Sequence, residues 1–323
     1  MILDPLDFVR IVVGLVGLFI GGDWLVKGAT RLAAAFKISP LVIGLTIVAY
    51  GTGVPEMLVS VQAALRGSAD IATGNIVGSN ISNTGLILGA SALIYPMVVH
   101  GQFLRRELPI MIGVSVSLLL CAADGTLSQL EGLLFVIGLA IFTVISYWLA
   151  RRERQQMTQE ALEFEAERSI IDGRVNILIE IGRVLVGIGV LVVASDGLVA
   201  GASNIARALG VSELVIGITL VAVGTSLPEL ATSLVAAFRK ESEIAIGNVV
   251  GSNIFNILGI LGVTAALRPV TVNPQLIRAD IPIMIGFAGV LFVLVLNGRL
   301  SRWKGGLLLL GYVAFVTYAF LPR

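Results

Sequence analysis

The chain has 323 residues, of which 56% are hydrophobic and only 13% charged, with a formal net charge of +1 and a mean hydropathy of +0.96. Soluble domains carry roughly 25% charged residues. The composition therefore predicts a membrane protein and argues against a soluble enzyme, a nucleic-acid-binding protein or a single-pass receptor. At about 20 apolar residues per span, this length allows up to roughly ten crossings.

The scarce reactive residues exclude further classes. Cys121 is the only cysteine, so neither an internal disulfide nor a thiolate metal site can form. His100 is the only histidine, and beside Gly101 at a helix end it is expected to be solvated, without a catalytic or metal-binding role. Asp4 and Asp7 precede the first apolar run, unlike a secretory signal, so we expect the first helix to be retained.

Apolar runs broken by glycine, proline or charge predict ten transmembrane helices. They lie at about 8–26, 40–66, 71–95, 107–123, 128–150, 176–200, 213–238, 244–267, 280–297 and 304–321. A charged segment separates the fifth from the sixth, giving a first five-helix unit over 1–150, a linker over 151–175 and a second unit over 176–323. With the N-terminus outside, about 15 basic loop residues face inward and about 6 face outward. This bias predicts that both termini are outside the cytoplasmic membrane and the linker is cytoplasmic.

An internal repeat at a constant offset of 173 residues organises the chain. LVIGLTIVAYGTGVPE, ending at Glu56, returns as LVIGITLVAVGTSLPE, ending at Glu229, and 28 of the 50 residues at 41–90 equal their partners. An odd number of spans per unit inverts the second unit relative to the first. The sequence therefore predicts an all-α membrane protein of two inverted five-helix repeats, the architecture of secondary transporters.

Four carboxylates fall inside predicted spans, where charge is costly and usually functional. Asp23 and Asp196 stand in apolar surroundings and are predicted to have structural roles, such as hydrogen-bonding a neighbouring helix. Glu56 and Glu229 instead share helix faces with other polar residues at a spacing of four. These faces comprise Thr52, Glu56 and Ser60; Thr225, Glu229 and Ser233; Asn75, Ser79 and Asn83; and Asn248, Ser252 and Asn256. The alternative is a purely structural role, in which the neutral residues only join close-packed helices.

Pro55 and Pro228 each precede one of these glutamates and cannot donate to the preceding helical turn. Carbonyls near Ala49, Gly51, Ala222 and Gly224 should then be available as ligands, although a plain kink would look the same in sequence. Carboxylates, hydroxyls, amides and carbonyls without histidine or cysteine favour a hard cation. Calcium tolerates such a flexible cage better than magnesium, and monovalent ions or protons could use the same oxygens.

At GTGVPE, GTSLPE and the two GN-V-GSN segments, the chain resembles the calcium/cation antiporter superfamily, and most closely the prokaryotic sodium/calcium exchangers. The resemblance implies a ten-helix fold with cation sites between spans two, three, seven and eight, and a sliding pair formed by spans one and six. It implies that Glu56 and Glu229 ligate both calcium and sodium, with Thr52 and Thr225 contributing carbonyls to the calcium site. Sodium sites would be lined by Ala49, Ser79, Ala222, Ser226 and Ser252, with Asn83 and Asn256 at the centre.

The chain departs from that family at two site positions. Gly53 stands where the second repeat has Ser226 and the family usually has serine, which removes one hydroxyl. Asn256 stands where several relatives carry an aspartate linked with potassium transport, which argues against potassium dependence. The regulatory calcium-binding domains that animal exchangers insert between the halves are also absent from the sequence.

The sequence thus predicts a secondary antiporter that exchanges Na⁺ for Ca²⁺ by alternating access, works as a monomer and needs no cofactor. The nearest alternative is a proton/cation antiporter on the same scaffold. An intramembrane hydrolase would need a catalytic motif, and HExxH, G-x-S-x-G and GxGD are all missing. A passive channel is the remaining alternative, and it would carry flux without a counter-ion.

Overall fold

A computed structural model describes residues 4–36, 38–155, 176–209 and 222–319, without side-chain detail at 102, 153–155 and 222–223. In the first half, the helices are α1 (Pro5–Phe36), α2 (Pro40–Thr52), α3 (Val54–Leu65), α4 (Ala69–Ser82), α5 (Leu88–Ile94), α6 (Gly101–Arg105), α7 (Glu107–Cys121) and α8 (Gln129–Gln155). In the second half, they are α9 (Ile177–Ala208), α10 (Ala222–Thr225), α11 (Leu227–Phe238), α12 (Ser242–Phe255), α13 (Gly262–Leu267), α14 (Ile281–Val295) and α15 (Arg302–Ala319). Four two-residue strands complete the fold: β1 (Met97–Val98), β2 (Thr126–Leu127), β3 (Val270–Thr271) and β4 (Arg299–Leu300).

Within the described chain, six helices are long and apolar enough to cross a membrane, or seven if α2 and α3 form one span bent by 48°. The other three predicted spans correspond to α4–α5, α10–α11 and α15. The first of these carries the polar stripe, and α15 begins with Arg302 and Lys304. Most of the predicted linker lies outside the described residues, as does the predicted seventh span before Ala222.

Two antiparallel strand pairs mark the two ends of the helix bundle. Strand β1 pairs with β4, and β2 pairs with β3. Helix α7 runs from the β1–β4 pair to the β2–β3 pair and, with 15 residues, is about 22 Å long. We call the end with β2 and β3 the first face and the end with β1 and β4 the second face. Each pair joins loops from both halves of the chain.

Helices α1 and α9 pack against each other along their lengths, as the resemblance implied for spans one and six. Their backbones approach closely at glycines: a Cβ added at Gly21 would lie 2.9 Å from the Gly187 carbonyl oxygen, and vice versa. Small residues at such crossings allow tight packing in a membrane. Asn204 Nδ2 donates to Asp7 Oδ1 (2.9 Å) at one end of the pair. Arg31 Nη1 donates to Glu180 Oε1 (3.2 Å) at the other end, so both ends are tied.

Among the described residues, α1 of this pair closes against α11 at the second face. At the second face, Arg239 Nε, just after α11, donates to Asp23 Oδ1 of α1 (2.7 Å), and Lys27 lies 2.8 Å from Asp23 Oδ2. Val235 of α11 is accordingly buried against α1. Its repeat partner on α3, Gln62, is exposed. Helix α1 thus covers α11, whereas α9 leaves the equivalent surface of α3 exposed.

The sequence predicts a solvated His100, but in the structure this side chain contacts Glu243. Its Nε2 lies 2.9 Å from Glu243 Oε1 at the start of α12, and Glu243 Oε2 accepts from the backbone N–H of Leu41 (3.2 Å). One carboxylate therefore joins three segments at the second face. Ser39, Gly101 and Arg105 line the same groove, and Arg105 is the other charged group in it.

The hydrogen bond to Glu243 raises the pKa of His100 above 6.5. A raised folded-state pKa stabilises the protein fully below the unfolded pKa, and this contribution disappears as the pH rises through the folded value. We expect the melting temperature of the purified protein to fall more between about pH 6 and about pH 9 than that of His100→Gln. Equal pH dependence of the two proteins would show that the pair does not contribute.

Candidate functional site

Two broken helices bring the predicted glutamates to the middle of the bundle. Helix α2 ends at Thr52, Gly53 forms the break, and α3 starts with Val54 and Pro55, so that Glu56 lies in its first turn. The second half repeats this arrangement around Ser226, with Glu229 in the first turn of α11. The two glutamates are buried, with 1% and 2% exposure. The proline signal in the sequence therefore corresponds to a real break in the helix.

Central asparagines are oriented by the amides next to them. Asn83 Nδ2 donates to Asn253 Oδ1 (3.0 Å), and Asn256 Nδ2 donates to Asn80 Oδ1 (2.9 Å). Because each Nδ2 donates to a neighbouring amide, the atom left over on Asn83 and on Asn256 is Oδ1, which can only accept. Both residues also begin π-helical turns, over Asn83–Ile87 and Asn256–Leu261, a distortion common at functional sites.

Several buried oxygen atoms of these residues have no hydrogen-bond partner in the described chain. They are Oε2 of Glu56, Oε2 of Glu229, Oδ1 of Asn83, Oδ1 of Asn256 and Oγ of Ser252. Buried polar atoms are nearly always paired, because leaving one unpaired costs about 1–3 kcal/mol. Four of the five are acceptors that lack donors. A bound cation would give these acceptor oxygens the positive partner that they lack.

Other members of the polar stripes join neighbouring helices, which is the purely structural role that the sequence left open. Thr52 Oγ1 lies 3.3 Å from Asn248 Oδ1, and Asn248 Nδ2 donates to Ser233 Oγ (2.9 Å). The repeat partners do the same: Thr225 Oγ1 lies 3.4 Å from Asn75 Oδ1, and Asn75 Nδ2 donates to Ser60 Oγ (3.1 Å). These side chains hold the broken helices against α4 and α12.

Ser226 and Ser79 meet at Glu56. Ser226 Oγ donates to Glu56 Oε1 (3.0 Å) and lies 3.2 Å from Ser79 Oγ. Two of the expected carbonyl ligands already accept hydrogen bonds. Gly53 N donates to the Ala49 oxygen (3.1 Å), and Ser195 Oγ donates to the Gly224 oxygen (2.6 Å).

The structure brings most of the predicted site residues into one buried region. Glu56, Thr52, Ser79, Asn83 and Ala49 lie on broken α2–α3 and on α4 with the π-helical turn that follows it, and Glu229, Thr225, Ser226, Ser252 and Asn256 lie on the matching elements of the second half. Ala222 begins α10, and its side chain is outside the described set. Asp23 bonds a neighbouring helix, as predicted, whereas Asp196 is exposed and has no partner among the described residues.

Asn80 and Asn253 were missed by the sequence reasoning. Besides orienting Asn83 and Asn256, they link the halves directly, since Asn80 Nδ2 donates to the Asn253 carbonyl oxygen (3.2 Å). Asn253 Nδ2 also donates to Thr84 Oγ1 (2.9 Å). Their signal was the third residue of GSN, which recurs in both repeats but falls off the stripe of every fourth residue.

In chemical terms, the region offers two carboxylates and neutral oxygens, and the described residues hold no group of three histidine, cysteine or acidic side chains. Hard cations use such oxygens. A buried oxygen site between broken, membrane-length helices is typical of a membrane transporter of cations.

Comparison with known proteins gives the family. The chain matches the sodium/calcium exchanger protein family over residues 6–148 and again over 179–321, once per half. It belongs to that family and is a cation antiporter, not an enzyme.

Individual relatives extend over almost the whole chain. A putative antiporter, CaxA, from Alkalimonas amylolytica is 38% identical, covering 94% of this chain and 96% of its own length. The sodium/calcium exchanger MaX1 from Methanosarcina acetivorans is 34% identical, covering 97% of this chain and 98% of its own. The solved structure of the sodium-calcium exchanger NCX_Mj, soaked with Na⁺ and Ca²⁺, superposes with a TM-score of 0.84 at 30% identity, covering 99% of both chains.

Proposed function

We propose that this protein exchanges Na⁺ for Ca²⁺ across the cytoplasmic membrane by alternating access. The observation that carries the proposal is the set of four acceptor oxygens, on Glu56, Glu229, Asn83 and Asn256, that have no partner among the described residues. Two carboxylates balance the charge of one divalent ion. Neutral amide oxygens complete a flexible cage, which suits calcium better than magnesium.

Competition for the carboxylates would couple the two ions. An empty site with two buried negative charges is costly in a membrane, so the closed intermediate should form only when cations neutralise it. Sodium ions would replace calcium at overlapping positions next to the Ser79 and Ser226 hydroxyls. Ser79 and Ser226 are proposed as sodium ligands, and Thr52, Thr225, Ser252, Ala49 and Ala222 are proposed to contribute to the rest of the cation cage.

For the architecture, we infer ten spans in two inverted repeats. Strands β1 and β3 are repeat partners, as are β2 and β4, yet β1 lies at the second face and β3 at the first. Equivalent loops at opposite faces are expected of inverted repeats. The loop charges support a cytoplasmic second face, with both termini outside.

Inversion also predicts the second conformational state. In the present state, Asp23 pairs with Arg239 at the second face. The repeat partners of these two residues are Asp196 and Arg66, which have no ion-pair partner in the part of the chain that is described. Exchange of conformations between the halves would open the first pair and bring Asp196 towards Arg66 as α9 closes on α3.

This exchange of ion pairs can be tested by chemical cross-linking. With Cys121 replaced by serine, Asp23→Cys/Arg239→Cys and Asp196→Cys/Arg66→Cys should each be linked by a short bifunctional thiol reagent, but in different states. We expect either link to stop transport and its reduction to restore transport. Failure of the Asp196/Arg66 pair to react under every ion condition would contradict the proposed second state.

The driving ion requires its own experiment, because a proton could replace sodium. Gly53 favours that alternative, since it removes one hydroxyl from the set that would bind sodium. Calcium uptake into vesicles should be measured under an imposed sodium gradient and under a proton gradient without sodium. We expect uptake to follow sodium. Uptake that follows protons and ignores sodium would favour the alternative, and flux without any counter-ion would indicate a channel.

A further inference from the structure

The two halves of the site differ at two positions that touch each other. Gly53 has Ser226 as its repeat partner, and Phe255 has Ser82. A Cβ added at Gly53 would lie 3.0 Å from Phe255 Cδ1 and 3.1 Å from Phe255 Cε1. The Phe255 ring thus lies against the space that a serine side chain at position 53 would need.

Phe255 is held in place by its neighbours. Its ring stacks on Tyr50 with centroids 4.6 Å apart, and the Tyr50 hydroxyl shares a 2.7 Å hydrogen bond with Thr143 Oγ1 on α8. The Phe255 ring also reaches Gly259 in the next turn, where an added Cβ would come within 2.6 Å of Cδ2. With 7% exposure, the residue has little room to move.

The polar groups on the two sides differ accordingly. Ser226, Ser79 and Glu56 form one connected cluster, with contacts of 3.0 and 3.2 Å. The repeat-related set consists of Gly53, Ser252 and Glu229. There Ser252 Oγ is buried and without a partner among the residues described, whereas Ser79 Oγ lies beside the Ser226 hydroxyl.

We propose that Phe255 and Gly53 together eliminate one of two repeat-related positions for a monovalent cation. The ion binds beside Ser226, Ser79 and Glu56, whereas the position beside Ser252 and Glu229 lacks an oxygen ligand and is narrowed by the ring. A hard cation loses its hydration without full replacement there. The inference rests on the proposed antiport and adds that fewer monovalent ions accompany each calcium than a symmetrical site would hold.

A matched pair of variants tests this directly, because Ser79 and Ser252 are repeat partners. Calcium exchange in vesicles is measured against sodium concentration. Ser79→Ala should raise the half-saturating sodium concentration about tenfold, equivalent to losing one good ligand, and Ser252→Ala should raise it far less. Equal effects of the two substitutions would overturn the proposal.

Restoring symmetry provides a gain-of-function test. Gly53→Ser/Phe255→Ser should make calcium exchange depend more steeply on sodium, whereas Phe255→Ser alone should not. A double variant that folds but keeps the wild-type steepness would overturn the proposal. If it fails to fold, the comparison of Ser79 with Ser252 decides.

Calcium exchange by the wild type separates this inference from the proposed function. Loss of calcium exchange in the wild type would refute the antiport itself. A wild type that exchanges calcium for sodium, but in which Ser79→Ala and Ser252→Ala have equal effects, would refute only this inference and leave the antiport standing.

Discussion

Glu229→Gln should abolish calcium exchange, and so should Glu56→Gln. A single remaining carboxylate cannot balance a divalent ion in a buried site. Removing one carboxylate takes away a partner of the buried calcium ion, and the loss of one partner of a buried pair of opposite charges costs about 3–5 kcal/mol. We expect the initial rate of calcium uptake to fall by about a hundredfold or more. Uptake of labelled calcium into vesicles measures it. Near-wild-type transport by either variant would refute the assignment of these carboxylates.

The same variants should remain folded. Glutamine keeps the shape of glutamate without its buried charge, so the ion-free melting temperature should be equal or higher. The rise in melting temperature that calcium gives the wild type should vanish, because ligand stabilisation requires binding. Glu131→Gln, a half-buried position at the first face, serves as the control and should keep both transport and the calcium-dependent rise.

Gly251→Ala should strongly destabilise the protein. A Cβ at this position would lie 2.4 Å from the Leu45 carbonyl oxygen and 2.6 Å from Leu45 Cα. Those are backbone atoms of α2, so α2 and α12 would have to separate. Overpacking costs about 1–3 kcal/mol and sometimes more, and a backbone clash belongs at the upper end. Thermal unfolding in detergent measures the loss, and calcium uptake should decline with it because the polar stripes move apart.

Gly113→Ala is the matched control for this substitution. Gly113 is an exposed residue of α7, and an added Cβ there meets no atom of the described chain within 4 Å. Its melting temperature should be unchanged or slightly higher, since alanine favours helix. Equal destabilisation by the two substitutions would mean that close packing at Gly251 is unimportant.

The sequence could predict the broken helices and the carboxylates because both follow from local chemistry. A proline within a helix interrupts its hydrogen bonding, as Pro55 and Pro228 do here. The internal repeat places Glu56 and Glu229 at equivalent positions. The orientation of an amide has no such local cause. Only the packing of Asn80 and Asn253 against the opposite half determines that Asn83 and Asn256 present oxygen to the centre.

The conformational state was also beyond prediction from sequence. Asp23 and Asp196 occupy equivalent positions, so nothing in the repeat tells which of them is paired. Two-residue strands such as β1 carry too little pattern to be recognised. Helix α1 is longer than its predicted span of 8–26, because the residues after Val26 remain helical where they pack on α9. In each case a tertiary contact decided the outcome.

The pairing of β1 with β4 has a consequence for biosynthesis. Met97 and Leu300 are partners, so the loop that follows the third predicted span cannot reach its final structure until almost the whole chain has left the ribosome. Glu56 likewise lacks its partner until Ser226 of the second half has been synthesised. The early half must therefore wait in the membrane with its polar stripe incompletely satisfied.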